Sequence, residues 1–223
     1  MKASVAITKQ TAPKLSARQV EEVNTGAPED VPLAPRSGYP PKTILCLLCT
    51  YLHNQEQVAT KYLPSSFRIC QKFFSETWPK IQSKYVETGK LRFLYRDFPR
   101  ASQGPGVNAA TAARCAGDQG KYWPMHDRLY GGRLDLSDFQ RHATALGLNL
   151  SEFTKCYQEG RYTDAIFKDK DEGTYLGFRG TPGFVLMVTR RMSNESPLLI
   201  PGAFPFEVFE EEIERLLKLE AQP

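Results

Sequence analysis

The sequence predicts an α/β fold in which a small sheet is interrupted, between its second and third strands, by a block of helices. Three observations carry this. Hydrophobic residues make up 41% of the 223 positions, ample for one packed core. Short apolar runs with branched residues recur at 42–52, 91–96, 183–189 and 198–200, the pattern of buried strands. Between the second and third of these runs, residues 105–175 keep helical spacing throughout.

Residues 1–41 form an extended lead-in, since six of the 16 prolines fall there among Ser, Thr, Gly and both charges. One short helix fits 16–23, with the Ser16 hydroxyl as N-cap. Residues 1–10 hold Lys2 but no apolar stretch of signal-peptide length, so the chain as written is expected in the cytosol, or its true start lies elsewhere. The domain proper is expected over 42–223. Its first strand, 42–52, follows Pro40 and Pro41. A helix over 69–86 places Phe73, Trp78, Ile81 and Tyr85 at roughly helical spacing, and Pro79 should kink it by removing a backbone donor. Thr88-Gly89-Lys90 is the turn into strand 91–96. Helices follow over 107–117, 122–130, 136–146, 150–159 and 162–176. Gly104-Pro105-Gly106 mimics a dinucleotide fingerprint, but it stands too far behind the strand for the tight turn that motif needs. Pro105 instead suits a first helical turn. Strands 183–189 and 198–200 flank a polar turn at 192–196, and an amphipathic helix over 206–219 closes the chain.

Composition excludes several classes of function. The net charge of +4 arises from 29 basic and 25 acidic residues with no dense Lys/Arg block, which argues against nucleic acid as a partner. The longest apolar run, 44–49, is too short to span a bilayer. Five cysteines, Cys46, Cys49, Cys70, Cys115 and Cys156, leave at least one unpaired by any intrachain scheme.

Several motifs together carry a family likeness: Tyr95-Arg96-Asp97-Phe98-Pro99, Ala112-Ala113-Arg114-Cys115-Ala116-Gly117, Gly120-Lys121-Tyr122-Trp123, Met125-His126-Asp127, Arg179-Gly180-Thr181-Pro182-Gly183-Phe184 and Gly202-Ala203-Phe204-Pro205-Phe206-Glu207-Val208-Phe209. In order and spacing, from about Cys70 to Leu217, the chain resembles the DsbA-like thioredoxin-fold oxidoreductases. The resemblance implies a thioredoxin-like fold with a helical insertion near 104–175. It also implies thiol–disulfide exchange with protein substrates, no dissociable cofactor, an extracytoplasmic setting and a monomer. Pro182 matches the cis-proline that faces the redox centre, with Thr181 before it, and a substrate chain can pair there like an added strand. Cys115 and Cys156 match cysteines of the family. A disulfide between them would close a loop of about 40 residues, worth roughly 4 kcal/mol by chain entropy, whereas in a reducing cytosol they would be buried thiols.

The active-site dithiol is where the likeness breaks. Family members carry Cys-X-X-Cys at the start of the first helix, where the dipole and free N–H groups lower the first thiol's pKa. Here Cys70 aligns with the second cysteine, and three residues earlier stands Phe67, which cannot exchange thiols. Cys46-Leu47-Leu48-Cys49 has the right spacing but lies in strand-like sequence, where such residues are ~10 Å apart and beyond disulfide reach. They are expected as core residues. A zinc site from Cys46, Cys49, His53 and Cys70 is a weaker alternative, because the second half lacks a paired spacing. From 45 to 69 the chain is about a dozen residues longer than the family pattern needs, through an insertion or a shifted reading frame. A shifted frame requires codons 45–70, read in another frame, to encode a Phe-X-Cys-Pro-X-Cys-like string. His126 is expected to pack or to hydrogen-bond locally, and His53 and His142 have no partner in the sequence pattern.

Three readings follow. The first is an oxidoreductase with Cys70, Thr181 and Pro182 at its site, impaired by loss of its first cysteine unless Cys46, Cys49 or a corrected frame supplies it. The second is a redox-inactive module that binds extended polypeptides beside Pro182. The third is a related fold using glutathione for isomerase or transferase chemistry.

Overall fold

A computed structural model of the chain describes residues 43–49, 65–130, 134–188 and 197–220. The expected lead-in with its helix at 16–23, the segment 50–64 with His53, and the turn at 192–196 lie outside them. Four strands, β1 (Thr43–Cys49), β2 (Arg92–Asp97), β3 (Gly183–Val188) and β4 (Leu198–Pro201), form one sheet in the order β2-β1-β3-β4. β1 runs parallel to β2 and antiparallel to β3, and β3 is antiparallel to β4.

The parallel pair needs a crossover, which is the helical stretch α1 (65–86). It starts as an α-helix (Ser65–Lys72), widens to a π-helix (Phe73–Thr77), tightens at Trp78–Ile81 and widens again at Gln82–Val86. The helix expected over 69–86 is therefore present and starts four residues earlier. Pro79, however, does not break it. Backbone N–H groups at both ends of the proline turn reach back five residues, Trp78 to Phe73 and Glu87 to Gln82. An inserted residue per turn relieves the clash that a proline ring makes in a regular helix.

Alternation along β3 sorts the core into two faces. Phe184 and Leu186 join Phe73, Ile81, Phe209 and Ile213 beneath α1 and the closing helix α7 (Phe206–Glu220). Val185 and Met187 face the other way, with Leu94, Leu199 and Phe178. Phe178 lies so close over Gly183 that a Cβ built there would stand 2.5 Å from its ring. No larger residue fits under that ring.

Between β2 and β3 come five helices: α2 (Pro105–Gly117), α3 (Tyr122–Leu129), α4 (Leu136–Ala145), α5 (Leu150–Gln158) and α6 (Thr163–Tyr175). α2 is the hub. Ala109, Ala110, Ala112, Ala113 and Ala116 are all buried, and their small side chains let neighbouring helices approach from several sides. Gly104, at φ 102°, turns the chain into Pro105, so the glycine-proline-glycine string is a helix start. Side-chain caps from Asp135 and Asn149 set the first turns of α4 and α5, satisfying N–H groups the helix leaves open. Among the described residues no helix is long and apolar enough to cross a membrane.

Cys115 of α2 and Cys156 of α5 are joined by a disulfide, with Cα atoms 5.9 Å apart and a sequence separation of 41. Closing that loop limits the unfolded chain by roughly 4 kcal/mol. Replacing both cysteines with alanine should therefore lower the urea midpoint markedly, while reductant should shift the parent chain toward the variant. A double variant as stable as the oxidised parent would show that the bridge contributes nothing.

Candidate active site

The site is assembled at one end of the sheet. β1 and β2 are parallel, so α1 must begin near the end where β1 finishes. Antiparallel β3 starts at that same end, since Gly183 pairs with Leu48 and Pro201. Thr181 and Pro182 therefore stand beside the C-terminal ends of β1 and β2, where open α/β sheets gather ligands. The Thr181–Pro182 peptide bond is cis. Pro182 is buried, Thr181 half-buried, and Arg179 and Gly180 are exposed.

Cys70 is the sixth residue of the α-helical start of α1. Its thiol is reduced and only 1% exposed, packed in the cluster of Phe73, Phe184 and Phe209. One turn later, Phe73 packs tilted against Phe184 with ring centroids 4.6 Å apart, and Phe184 follows Pro182 by two residues. The helix bearing Cys70 and the strand entered from Pro182 are thus held by the same aromatic contact. Ile69, beside Cys70, is one of the few large apolar residues left exposed among the described residues.

Cys46 and Cys49 both lie in β1, paired with Leu94 and Asp97. Extended backbone separates them by ~10 Å, so this conformation does not let them bridge. The zinc alternative involves His53, outside the described residues, and the described residues hold no cluster of three metal ligands. His142, without a partner in the sequence, is 3.4 Å from Asp138 one turn earlier.

A group the sequence did not single out lies behind the site. Asp97, closing β2, is 2% exposed and accepts a 2.7 Å hydrogen bond from Arg114 of α2. Arg114 also donates to Asp169 of α6 at 2.6 Å, and the Asp97 amide donates to the same carboxylate at 3.0 Å. Arg96 approaches Asp169 to 3.5 Å. Two arginines and two aspartates thus balance inside the protein. Burial works against the charged form of Arg114, but Asp97 and Asp169 outweigh it and raise its pKa. Burial pushes the Asp169 carboxyl up to about 6, with Asp97 adding to the effect and Arg96 and Arg114 opposing it.

The comparisons with known proteins agree with this architecture. The family model described as Thioredoxin matches residues 60–196. Wolbachia pipientis alpha-DsbA1 superposes with a TM-score of 0.64 at 22% identity, covering 80% of this chain and 87% of that one. Chlamydia trachomatis DsbA superposes at 0.60 with 18% identity, covering 88% and 98%. Among curated sequences, a putative protein-disulfide oxidoreductase of Rickettsia bellii is 24% identical over 135 residues, 57% of this chain and 51% of that protein. The Na(+)/H(+) antiporter NhaA 1 of Salinispora arenicola is 32% identical over 109 residues, 48% of this chain. The chain spans about half the length of that oxidoreductase and 17% of the antiporter.

The raised Asp169 sets a pH test. Its native carboxyl binds a proton more tightly than the unfolded chain, whose value is 3.8. The group's share of stability is thus fully present below about pH 4 and falls away as pH rises toward 6. Urea midpoints of the parent relative to Asp169→Asn should decline across that interval and then level off. A difference constant from pH 4 to 7 would refute the assignment.

Proposed function

The chain belongs to the thioredoxin family, in its DsbA-like group, and on that premise we propose that it is a thiol–disulfide oxidoreductase for protein substrates whose exchange chemistry is impaired. The observation that carries this is the setting of Cys70: a buried thiol beyond the first helical turn, with Phe67 three residues before it. Exchange begins when an exposed thiolate attacks a substrate disulfide, forming a mixed disulfide and releasing one substrate thiolate. A second thiolate then attacks the mixed disulfide at the enzyme sulfur, releasing the other substrate thiolate and leaving an enzyme disulfide. Cys70 suits the second step, since burial shields it from substrates but not from a neighbour one turn away. It is poorly placed for the first. The free N–H groups that lower a thiol's pKa belong to the first turn, and residue 70 lies past it.

Substrate binding does not need the missing thiol. Arg179 and Gly180 are exposed and Thr181 half-buried at the strand end, and Ile69 adds an apolar contact beside Cys70. An extended polypeptide laid along Thr181 would use main-chain hydrogen bonds for affinity and side-chain contacts for selectivity. These exposed groups also favour the second reading, a polypeptide-binding module without redox turnover.

Insulin reduction by dithiothreitol separates the two. Phe67→Cys should create a working Cys-Arg-Ile-Cys pair and raise the rate at least ~10-fold over the parent, and adding Cys70→Ser should remove the gain. A folded Phe67→Cys protein with both thiols titratable and no gain would defeat the assignment of Cys70 as the resolving thiol. A parent chain that binds unfolded peptide yet never accelerates reduction would favour the binding module.

A further inference from the structure

His126 of α3 is 0% exposed and is walled by five aromatic rings. Four meet it edge-on: Phe74 at 4.9 Å, Tyr95 at 5.0 Å, Trp123 at 5.1 Å and Tyr130 at 5.0 Å between centroids. Tyr122 stacks more distantly at 6.2 Å. The rings come from both halves of the molecule. Phe74 belongs to α1 and Tyr95 to β2, while Tyr122, Trp123 and Tyr130 belong to the insertion. Tyr95, Trp123 and Tyr130 pack against the sheet core and the insertion core alike. His126 therefore sits at the joint between the halves, and Phe74 lies one helical turn beyond Cys70 on the same helix face.

We propose that His126 is an acid-released latch: its uncharged ring holds the insertion against the helix that carries Cys70, and protonation loosens the joint and lets reagents reach that thiol. A buried cation there lacks the water it would have in the unfolded chain. The surrounding charges oppose this only weakly. On its own helix, Asp127 reaches His126 Nδ1 at 3.1 Å, but its side chain is 75% exposed and screened by solvent. Tyr122 and Tyr130 flank the ring. From β2 come Tyr95 and Asp97, the latter engaged with Arg114. From α1 comes Phe74, whose charged neighbours in sequence, Lys72 and Glu76, are exposed and pair with each other. Burial is the larger influence and lowers the pKa of His126 below its ordinary 6.5. The native state then holds this proton less tightly than the unfolded chain, so the joint weakens as pH falls through 6.5 and below. The latch does not depend on catalysis, because Cys70 serves here as a reporter of opening.

The test follows Cys70 labelling by 2,2′-dipyridyl disulfide between pH 7.5 and 4.5, located by peptide mapping and divided by the rate for an unstructured peptide of residues 66–74. The normalised rate of the parent should rise at least ~10-fold on acidification, with far-ultraviolet circular dichroism unchanged, and His126→Phe should stay flat. The proposal is overturned by a flat parent, by a His126→Phe protein that rises like the parent, or by a rise that Asp169→Asn abolishes, which would place the sensor in the buried ion cluster. If His126→Phe does not fold, the His126 ring signal in NMR spectra of the parent decides. A midpoint below the ordinary 6.5 that coincides with the labelling rise supports the latch, and a midpoint at 6.5 or above removes it.

Discussion

Arg114, held between Asp97 and Asp169, is the interaction on which the remaining structure depends. The insertion is a helical core of its own, and it must be fixed to the sheet at a definite angle. Apolar contacts alone leave that angle soft, because they reward burial without direction. A guanidinium has a fixed fork of donors, so binding one carboxylate on β2 and another on α6 orients α2, β2 and α6 together. The arrangement tolerates little loss. Removing one member of a buried pair leaves the others uncompensated, at about 3–5 kcal/mol.

This clamp also explains how the site can sit at a junction and stay ordered. Asp97 closes β2 next to Cys49 of β1, at the end of the sheet where Pro182 enters β3. The same contact that orients the insertion thus secures the strand end behind the site. In front of it the junction is sealed by aromatic rings around His126, a weaker and less directional contact. One side of the joint is ionic and buried, the other aromatic and titratable. Opening is therefore easier on the aromatic side, which is also the side that touches the Cys70 helix through Phe74.

The motifs that carried the family likeness acquire physical roles in this frame. Asp97 and Arg114 are conspicuous in sequence as charges inside apolar strings, and the structure joins them. Their third partner, Asp169, lies 72 residues from Asp97 and 55 from Arg114, among several exposed charges of α6, where no local pattern marks it. Pro79 illustrates the converse. The sequence marks the missing donor, and the structure shows π-helical turns on either side of it. Phe73, Trp78, Ile81 and Tyr85 are all buried along that stretch.

By itself the sequence determined the order of strands and helices, the place of the insertion and the family. Those follow from periodicity and from motifs read within a few residues of one another. Only the tertiary structure decided the partners of Arg114 and His126, and settled a bridge rather than two buried thiols for Cys115 and Cys156. The reason is physical. Backbone conformation is biased by neighbours along the chain, whereas burial, charge pairing and thiol access are properties of groups brought together from distant positions.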